Sequence, residues 1–332
     1  MARIILHIGT HKTGTTTIQR TLAKYRGRLR ARGIWYPSYA EFGMRAHYAH
    51  IGMANALGGD HPTYTPAEAE RFFAGVAAGA ARHDATLLSA ESFYRQTLGE
   101  TSPQEAPDAE SYWAMRDAYI ARLRSLIGPA EIALVLRERD AFAESLYQEH
   151  VKVTRYARPF ARFIDEFWFH FDYAGQISAW RRHFPEVHVF AFGAIRGRDI
   201  AKRLLNRLGL APGRLTPVAN QNASLPHDAV ILKRACNAAL VDRAELSRFA
   251  EALASERFRA AVAKAPRSFF ADVEAHRGFL ARYGEEHLAP TADGNELRYG
   301  DRLTEEEKAR LVEVLAGLLG DGVALRRLSV DA

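Results

Sequence analysis

The chain opens on a feature that restricts its fold more than any other. A short apolar run, Arg3-Ile-Ile-Leu6, leads into His7-Ile-Gly-Thr-His-Lys-Thr-Gly-Thr-Thr16, and a helical pattern begins at once after it. Strand, glycine-bearing loop and helix in immediate succession form an anion site, because the first amides of the helix have no intrahelical partner and the helix dipole favours negative charge there. Gly9 and Gly14 have the separation of the two glycines in a phosphate-binding P-loop, which continues with Lys and then Ser or Thr. Here Thr15 follows Gly14, and the lysine is Lys12, inside the loop. Thr10, Thr13, Thr15 and Thr16 add hydroxyls, and His11 lies in the same loop.

The rest of the first two-thirds alternates strand and helix. Residues 3–8, 34–36, 86–90, 131–136 and 187–192 read as short β-rich runs, and Glu131-Ile-Ala-Leu-Val-Leu136 is the clearest of them. Helical spacing covers 16–32, a patch around 46–57, 66–83, 108–127, 140–153 with Asp140 as N-cap, one or two helices within 159–184, and 196–208. Residues 97–108 read as an exposed loop. Such alternation argues for an α/β class, a P-loop-like three-layer fold with a central parallel sheet flanked by helices. After about residue 225 the strand signal fades, and helical patterns dominate 227–283 and 304–319. The expected organisation is therefore a nucleotide-binding core over 1–225 and a mainly helical C-terminal extension over 226–332, packed on the core as a lid, an acceptor-binding surface or a homodimer contact.

Composition restricts the partners. The chain has 332 residues, 48% hydrophobic and 25% charged, with a net charge of +6 and a pI near 9.4. That charge suits an anionic ligand, and equally nucleic acid or a peripheral contact with a membrane surface. The excess comes from 38 Arg against 7 Lys, spread over every segment. A nucleic-acid interface needs basic and aromatic residues gathered on one surface, so no nucleic-acid partner is expected. No apolar run reaches the roughly 18 residues of a membrane helix, and no secretory leader is evident. The single cysteine, Cys236, cannot form an internal disulfide, which fits a reducing, cytoplasmic setting.

A second candidate site follows the clearest strand. Arg137 stands at its carboxyl end, where open α/β sheets bind ligands. Ser145 comes eight residues later, in the second turn of the next helix, and side chains there lean back toward the helix N-terminus. A guanidinium and a hydroxyl so arranged suit a second phosphate. Arg139 is the reserve candidate.

Together these two motifs make the chain resemble the sulfotransferases that use 3′-phosphoadenosine 5′-phosphosulfate (PAPS). Gly9 to Thr16, with Lys12 inside, resembles their 5′-phosphosulfate loop; Arg137 with Ser145, and Tyr147 two residues on, resembles their 3′-phosphate site. Asp172-Tyr173, Trp180, Phe184, Leu208-Gly209-Leu210 and Asn220-Gln-Asn-Ala-Ser224 resemble the later half of bacterial carbohydrate-type members. The resemblance covers roughly residues 1–225. It departs at Glu138-Arg139-Asp140, where Asn-Pro is frequent after the arginine, and the tail matches nothing usable.

The resemblance implies a PAPS-dependent sulfotransferase that releases 3′,5′-bisphosphoadenosine (PAP), with Lys12 and the loop amides aimed at the leaving phosphate oxygen, where charge develops. A sulfuryl group has no adjacent phosphates for a metal to bridge, so no metal is expected, in contrast to P-loop phosphotransfer. The acceptor is expected to be a hydroxyl or amine of a glycan, glycolipid or small molecule, deprotonated by a general base. Glu91, just past the candidate strand 86–90, is first choice, followed by His47 and then His50. Tyr36, Tyr48, Phe93, Tyr94, Tyr147 and Tyr173 are candidates for a pocket, although aromatics of this kind more often fill a core. Two alternatives remain. A P-loop nucleotide kinase fits the strand-loop-helix but not the lysine position. A protein that binds nucleotide or nucleic acid without catalysis keeps the fold and drops the chemistry.

Overall fold

A computed structural model of the chain describes residues 3–10, 12–99, 108–216, 218, 225–239, 242–262, 267–283 and 298–319. In chain order its regular elements are β1 (Arg3–His7), α1 (Thr15–Lys24), α2 (Arg26–Arg30), β2 (Ile34–Trp35), α3 (Ile51–Leu57), α4 (Pro66–Ala80), β3 (Ala85–Ser89), α5 (Ala109–Ile127) and β4 (Glu131–Leu136). They continue with α6 (Arg139–Val153), α7 (Phe160–Glu166), α8 (Tyr173–His183), β5 (Val187–Ala191), α9 (Phe192–Ile195) and α10 (Ile200–Arg207). The remainder comprises α11 (His227–Ala239), α12 (Arg243–Ala254), α13 (Glu256–Ala261), β6 (Arg267–Ser268), α14 (Val273–Tyr283), β7 (Arg298–Tyr299) and α15 (Glu305–Leu319). The residues group into two compact units, Met1–Glu138 with Phe169–Gln221, and Arg139–Trp168 with Asn222–Ala332.

The first unit is the expected α/β layer structure. Its five strands are all parallel, in the order β2-β3-β1-β4-β5, with β1 at the centre. β1 and β3 are almost wholly buried runs, as strands covered on both faces must be. On one face Ile5, Leu87, Ala133 and Val135 pack against Ile18 and Leu22 of α1, Leu29 of α2 and Leu204 and Leu205 of α10. Helices α4 and α8 contact the sheet as well, and α5 contacts both. Arg3 closes the strand base with two bonds to the Glu131 carboxylate, at 2.6 and 2.8 Å.

A fully buried arginine braces the segment after β3. Arg116 of α5 donates to the carbonyls of Phe93 at 2.6 Å and Gln96 at 2.7 Å and to Gln176 Oε1 at 3.1 Å, with its guanidinium over the Trp180 ring. Carbonyl oxygens thus take the place of a carboxylate partner, and burial lowers the guanidinium pKa.

The helix expected over 16–32 is two helices. Tyr25 leaves helical geometry, with φ −107° and ψ 17°, and sends its ring into the core, where its hydroxyl accepts from the Thr216 amide at 3.3 Å. The helix expected over 196–208 is α10, which starts at Ile200, and a short α9 (Phe192–Ile195) precedes it where the sequence showed the end of a strand. The turn expected at Asn220–Ser224 and most of the loop expected over 97–108 lie outside the described residues.

The second unit is helical apart from β6 and β7, a parallel pair that the sequence reading missed. Residues 139–168, read from the sequence as part of the core, group with this unit. Asp140 is not an N-cap: α6 begins at Arg139, and the Asp140 carboxylate accepts from the Ala141 amide at 2.7 Å and meets His276 Nε2 at 3.1 Å. Arg267 bridges Asp228 at 2.7 Å and Glu307 at 2.5 Å, and Asn237 donates to the carbonyls of Val151 and Tyr156, both at 2.9 Å. No helix among the described residues is long and apolar enough to cross a membrane.

Candidate active site

Strand β1 hands the chain to the loop between its two neighbours. The amides of Ile8 and Thr10 donate to the carbonyls of Ala133 and Val135 on β4, both at 3.0 Å, so the strand hydrogen bonding runs into the loop. The Thr10 hydroxyl donates to the same Val135 carbonyl at 3.3 Å, and the Thr13 hydroxyl donates to the Thr10 carbonyl at 2.6 Å. These two threonines are buried and hold the loop's shape. Thr15 is buried and Thr16 half-buried in the first turn of α1.

Two backbone features mark the loop. Gly14 is the N-cap of α1 at φ 72° and, being glycine, has no side chain to bond the helix start. The first amides of α1 therefore keep their donor capacity toward an anion. Lys12 takes φ 67°, the one positive value on a non-glycine residue among those described. A left-handed lysine costs about 1–2 kcal/mol, and such residues gather where a side chain must be presented in a particular direction. Gly9 is needed for space: a Cβ there would sit 3.0 Å from His7 Nε2, 3.1 Å from Thr13 Oγ1 and 3.3 Å from Thr15 Cγ2. His11 lies outside the described residues.

His7, to which the sequence reading assigned no role, ends β1 directly beneath this loop. It is fully buried, Nδ1 lies 2.8 Å from Ser89 Oγ, and Nε2 has no hydrogen-bond partner among the described residues. Burial pushes the imidazole down to about 4, against the opposing pull of Glu91, so the ring is neutral near pH 7. An unpartnered buried nitrogen is costly, and this one stands against Gly9, in the loop that the sequence marks as the anion site. The signal available in the sequence was a polar residue inside an otherwise apolar strand.

Glu91 occupies the expected place at the carboxyl end of the sheet. It follows β3 at the start of a 3₁₀ turn, Glu91–Tyr94, and is half-buried. Gln19 of α1 donates to its Oε2 at 2.8 Å and reaches the Ser89 carbonyl at 3.5 Å. Gln19 lies about one turn past Thr15 and Thr16, a rise of roughly 6 Å. The carboxylate is thus fastened to the helix that the loop opens.

The two histidines differ. His50 is buried, and both ring nitrogens are engaged: Nδ1 accepts from the Ser89 amide at 3.0 Å, and Nε2 donates to the Pro37 carbonyl at 2.9 Å. Burial pushes it down to about 3. This geometry fastens residues 47–50 to the end of β3 and keeps no nitrogen for a substrate proton. His47 is half-buried, with Nδ1 within 3.1 Å of the Ala49 amide, and lines a cavity with Arg45, His61 and Tyr64.

Of the proposed 3′-phosphate residues, Arg137 follows β4 in the first unit, its carbonyl accepting from the Tyr173 hydroxyl at 2.8 Å. Ser145 is buried in α6 of the second unit, and so is Arg139, whose guanidinium lies over Tyr283 at 5.7 Å.

No family model matches the chain, and no curated protein matches it. Among solved structures it is similar to a sulfotransferase from Alicyclobacillus acidocaldarius, at 14% identity and a TM-score of 0.39, over 71% of this chain and 93% of that one. A likeness of that size decides neither fold nor activity.

The aromatic candidates are mainly packing. Tyr36, Phe93, Tyr94 and Tyr173 are buried in the first unit. Tyr147 is buried in the second, edge-on to Phe160 and Phe269. Tyr48 is half-buried, with Arg20 stacked over it at 5.2 Å. Among the described residues no group of His, Cys, Asp and Glu is arranged to hold a metal ion.

Proposed function

We propose that the chain is a PAPS-dependent sulfotransferase, with the 5′-phosphosulfate bound by Gly9 to Thr16 and the 3′-phosphate by Arg137. The observation that carries the reading is the loop after β1. A glycine N-cap, a left-handed Lys12 and a buried His7 whose Nε2 has no hydrogen-bond partner among the described residues occur together in one short segment. A bound anion would accept from the first amides of α1, and Gly9 allows close approach.

In the proposed reaction Glu91 takes the proton of an acceptor hydroxyl or amine as the acceptor atom bonds to sulfur. The bond from sulfur to the 5′-phosphate oxygen breaks, and PAP leaves with the charge on that oxygen. Lys12 and the loop amides stabilise this charge, and Gln19 orients the base. Glu91 is preferred to His47 because its partner belongs to the helix behind the loop, and to His50 because both imidazole nitrogens of His50 are occupied. The acceptor class is a glycan, glycolipid or small molecule.

A thermal-shift comparison tests the reading, since a ligand that binds only the folded state raises its stability. PAP should raise the melting temperature where ATP with Mg²⁺ and duplex DNA do not. Stabilisation by ATP with Mg²⁺ alone would favour a phosphotransferase instead.

A further inference from the structure

The first unit contains a cavity of about 260 Å³, with Tyr39, Arg45, Gly52, His47, His61 and Tyr64 among its walls. No carboxylate lines it among the described residues. His61 Nδ1 accepts from the amides of Thr63 at 3.1 Å and Tyr64 at 3.0 Å. The proton of the neutral ring is therefore on Nε2, a donor. Arg45 supplies a full positive charge. The His61 and Tyr64 rings stack at 4.9 Å and present flat faces. Gly52 keeps the space open, because a Cβ there would meet the Tyr64 ring at 3.2 Å and His61 Nε2 at 3.4 Å.

The cavity is joined to the proposed chemistry by a short chain of contacts within one unit. Its wall residue His47 is three residues from His50, which exchanges bonds with Ser89: the Ser89 amide donates to His50 Nδ1, and the His50 amide donates to the Ser89 carbonyl at 3.0 Å. Ser89 in turn holds His7 beneath the loop, and Glu91 is two residues further on. Arg26 of α2 donates to the His47 carbonyl at 2.8 Å, and Tyr36 donates to that of Tyr48 at 2.8 Å, fixing the same wall. Sites for whole drug-sized ligands occupy roughly 300–1,000 Å³, so this one suits a single ring.

We infer that this cavity is the acceptor subsite and that it selects a ring carrying a negative charge, such as a hexuronate or an already sulfated sugar unit. The inference rests on the sulfotransferase reading. It adds that the acceptor is anionic, held by Arg45 and by the His61 Nε2 donor, with a hydroxyl directed to Glu91.

The test is titration of the PAP-saturated full chain with p-nitrophenyl β-D-glucuronide and with the matching neutral glucoside. The glucuronide is expected to bind at least tenfold more tightly. Arg45→Gln should abolish that preference and Arg45→Lys should restore part of it, with PAP affinity and melting temperature unchanged in both. Equal binding of the two glycosides, binding of neither, or a preference that survives Arg45→Gln would overturn the inference. Failure of PAP itself to bind would instead overturn the sulfotransferase reading, so the two failures are separable.

Discussion

His7 and Ser89, 82 residues apart in sequence, meet at 2.8 Å below the glycine-bearing loop, and the pair ties the base of the loop to the end of the strand that delivers Glu91. The neutrality of this imidazole has a consequence for acid stability. Its folded pKa is about 4 against an ordinary 6.5, and that of His50 is about 3. The unfolded chain therefore binds more protons between these values. The stability contributed is full above pH 6.5 and is lost as pH falls through that window, by up to about 3 kcal/mol for His7. Urea unfolding of wild type and His7→Asn at pH 7.5 and 5 checks this. The variant should be less stable at pH 7.5 but lose less on acidification; an equal loss would show that His7 is not buried neutral.

Lys12 is expected to act on the transition state more than on ground-state binding. Lys12→Ala should lower kcat by about 10²-fold or more, with PAP affinity changed severalfold at most. Lys12→Gly suits the left-handed backbone and should lose as much turnover, which separates the side chain from loop distortion. Equal losses in binding and turnover would assign Lys12 to binding alone.

Glu91→Gln keeps the size of the side chain and removes its basicity. Turnover should fall by about 10²–10⁴-fold, while PAP binding stays within twofold. His47→Ala is expected to have a smaller effect. If neither variant lowers turnover tenfold, the base lies elsewhere.

Arg116 should matter for stability alone. Arg116→Met leaves the Phe93 and Gln96 carbonyls buried without their donor, a loss of about 3 kcal/mol measurable by urea unfolding. A change under 1 kcal/mol would mean that water replaces the guanidinium.

Much of the first unit was legible because its signals are local. Glycines and threonines after an apolar run mark a strand, a glycine-bearing loop and a helix, and Glu91, just past a strand, stands at the carboxyl end of the parallel sheet. What was not legible depends on distant partners. His7 reads as an ordinary polar strand residue until Ser89 is beside it, and His50 reads as a candidate base until the Pro37 carbonyl and Ser89 amide occupy its nitrogens. Tyr25 continued a helical apolar spacing, so the break at that residue left no mark in the pattern. The β6 and β7 strands, two residues each, are too short to show alternation. Residues 139–168 follow β4 directly, and nothing local reveals that they group with helices nearly a hundred residues later.

The most direct test of the central claim is calorimetric titration of the wild-type chain and Arg137→Ala with PAP and with 5′-AMP, in buffer containing a metal chelator. PAP should bind wild type without metal and at least tenfold more tightly than 5′-AMP, because only PAP carries the 3′-phosphate, and Arg137→Ala should remove most of that difference. PAP binding that is absent, requires Mg²⁺, or equals that of 5′-AMP would contradict the assignment of loop and arginine to a 3′,5′-substituted nucleotide.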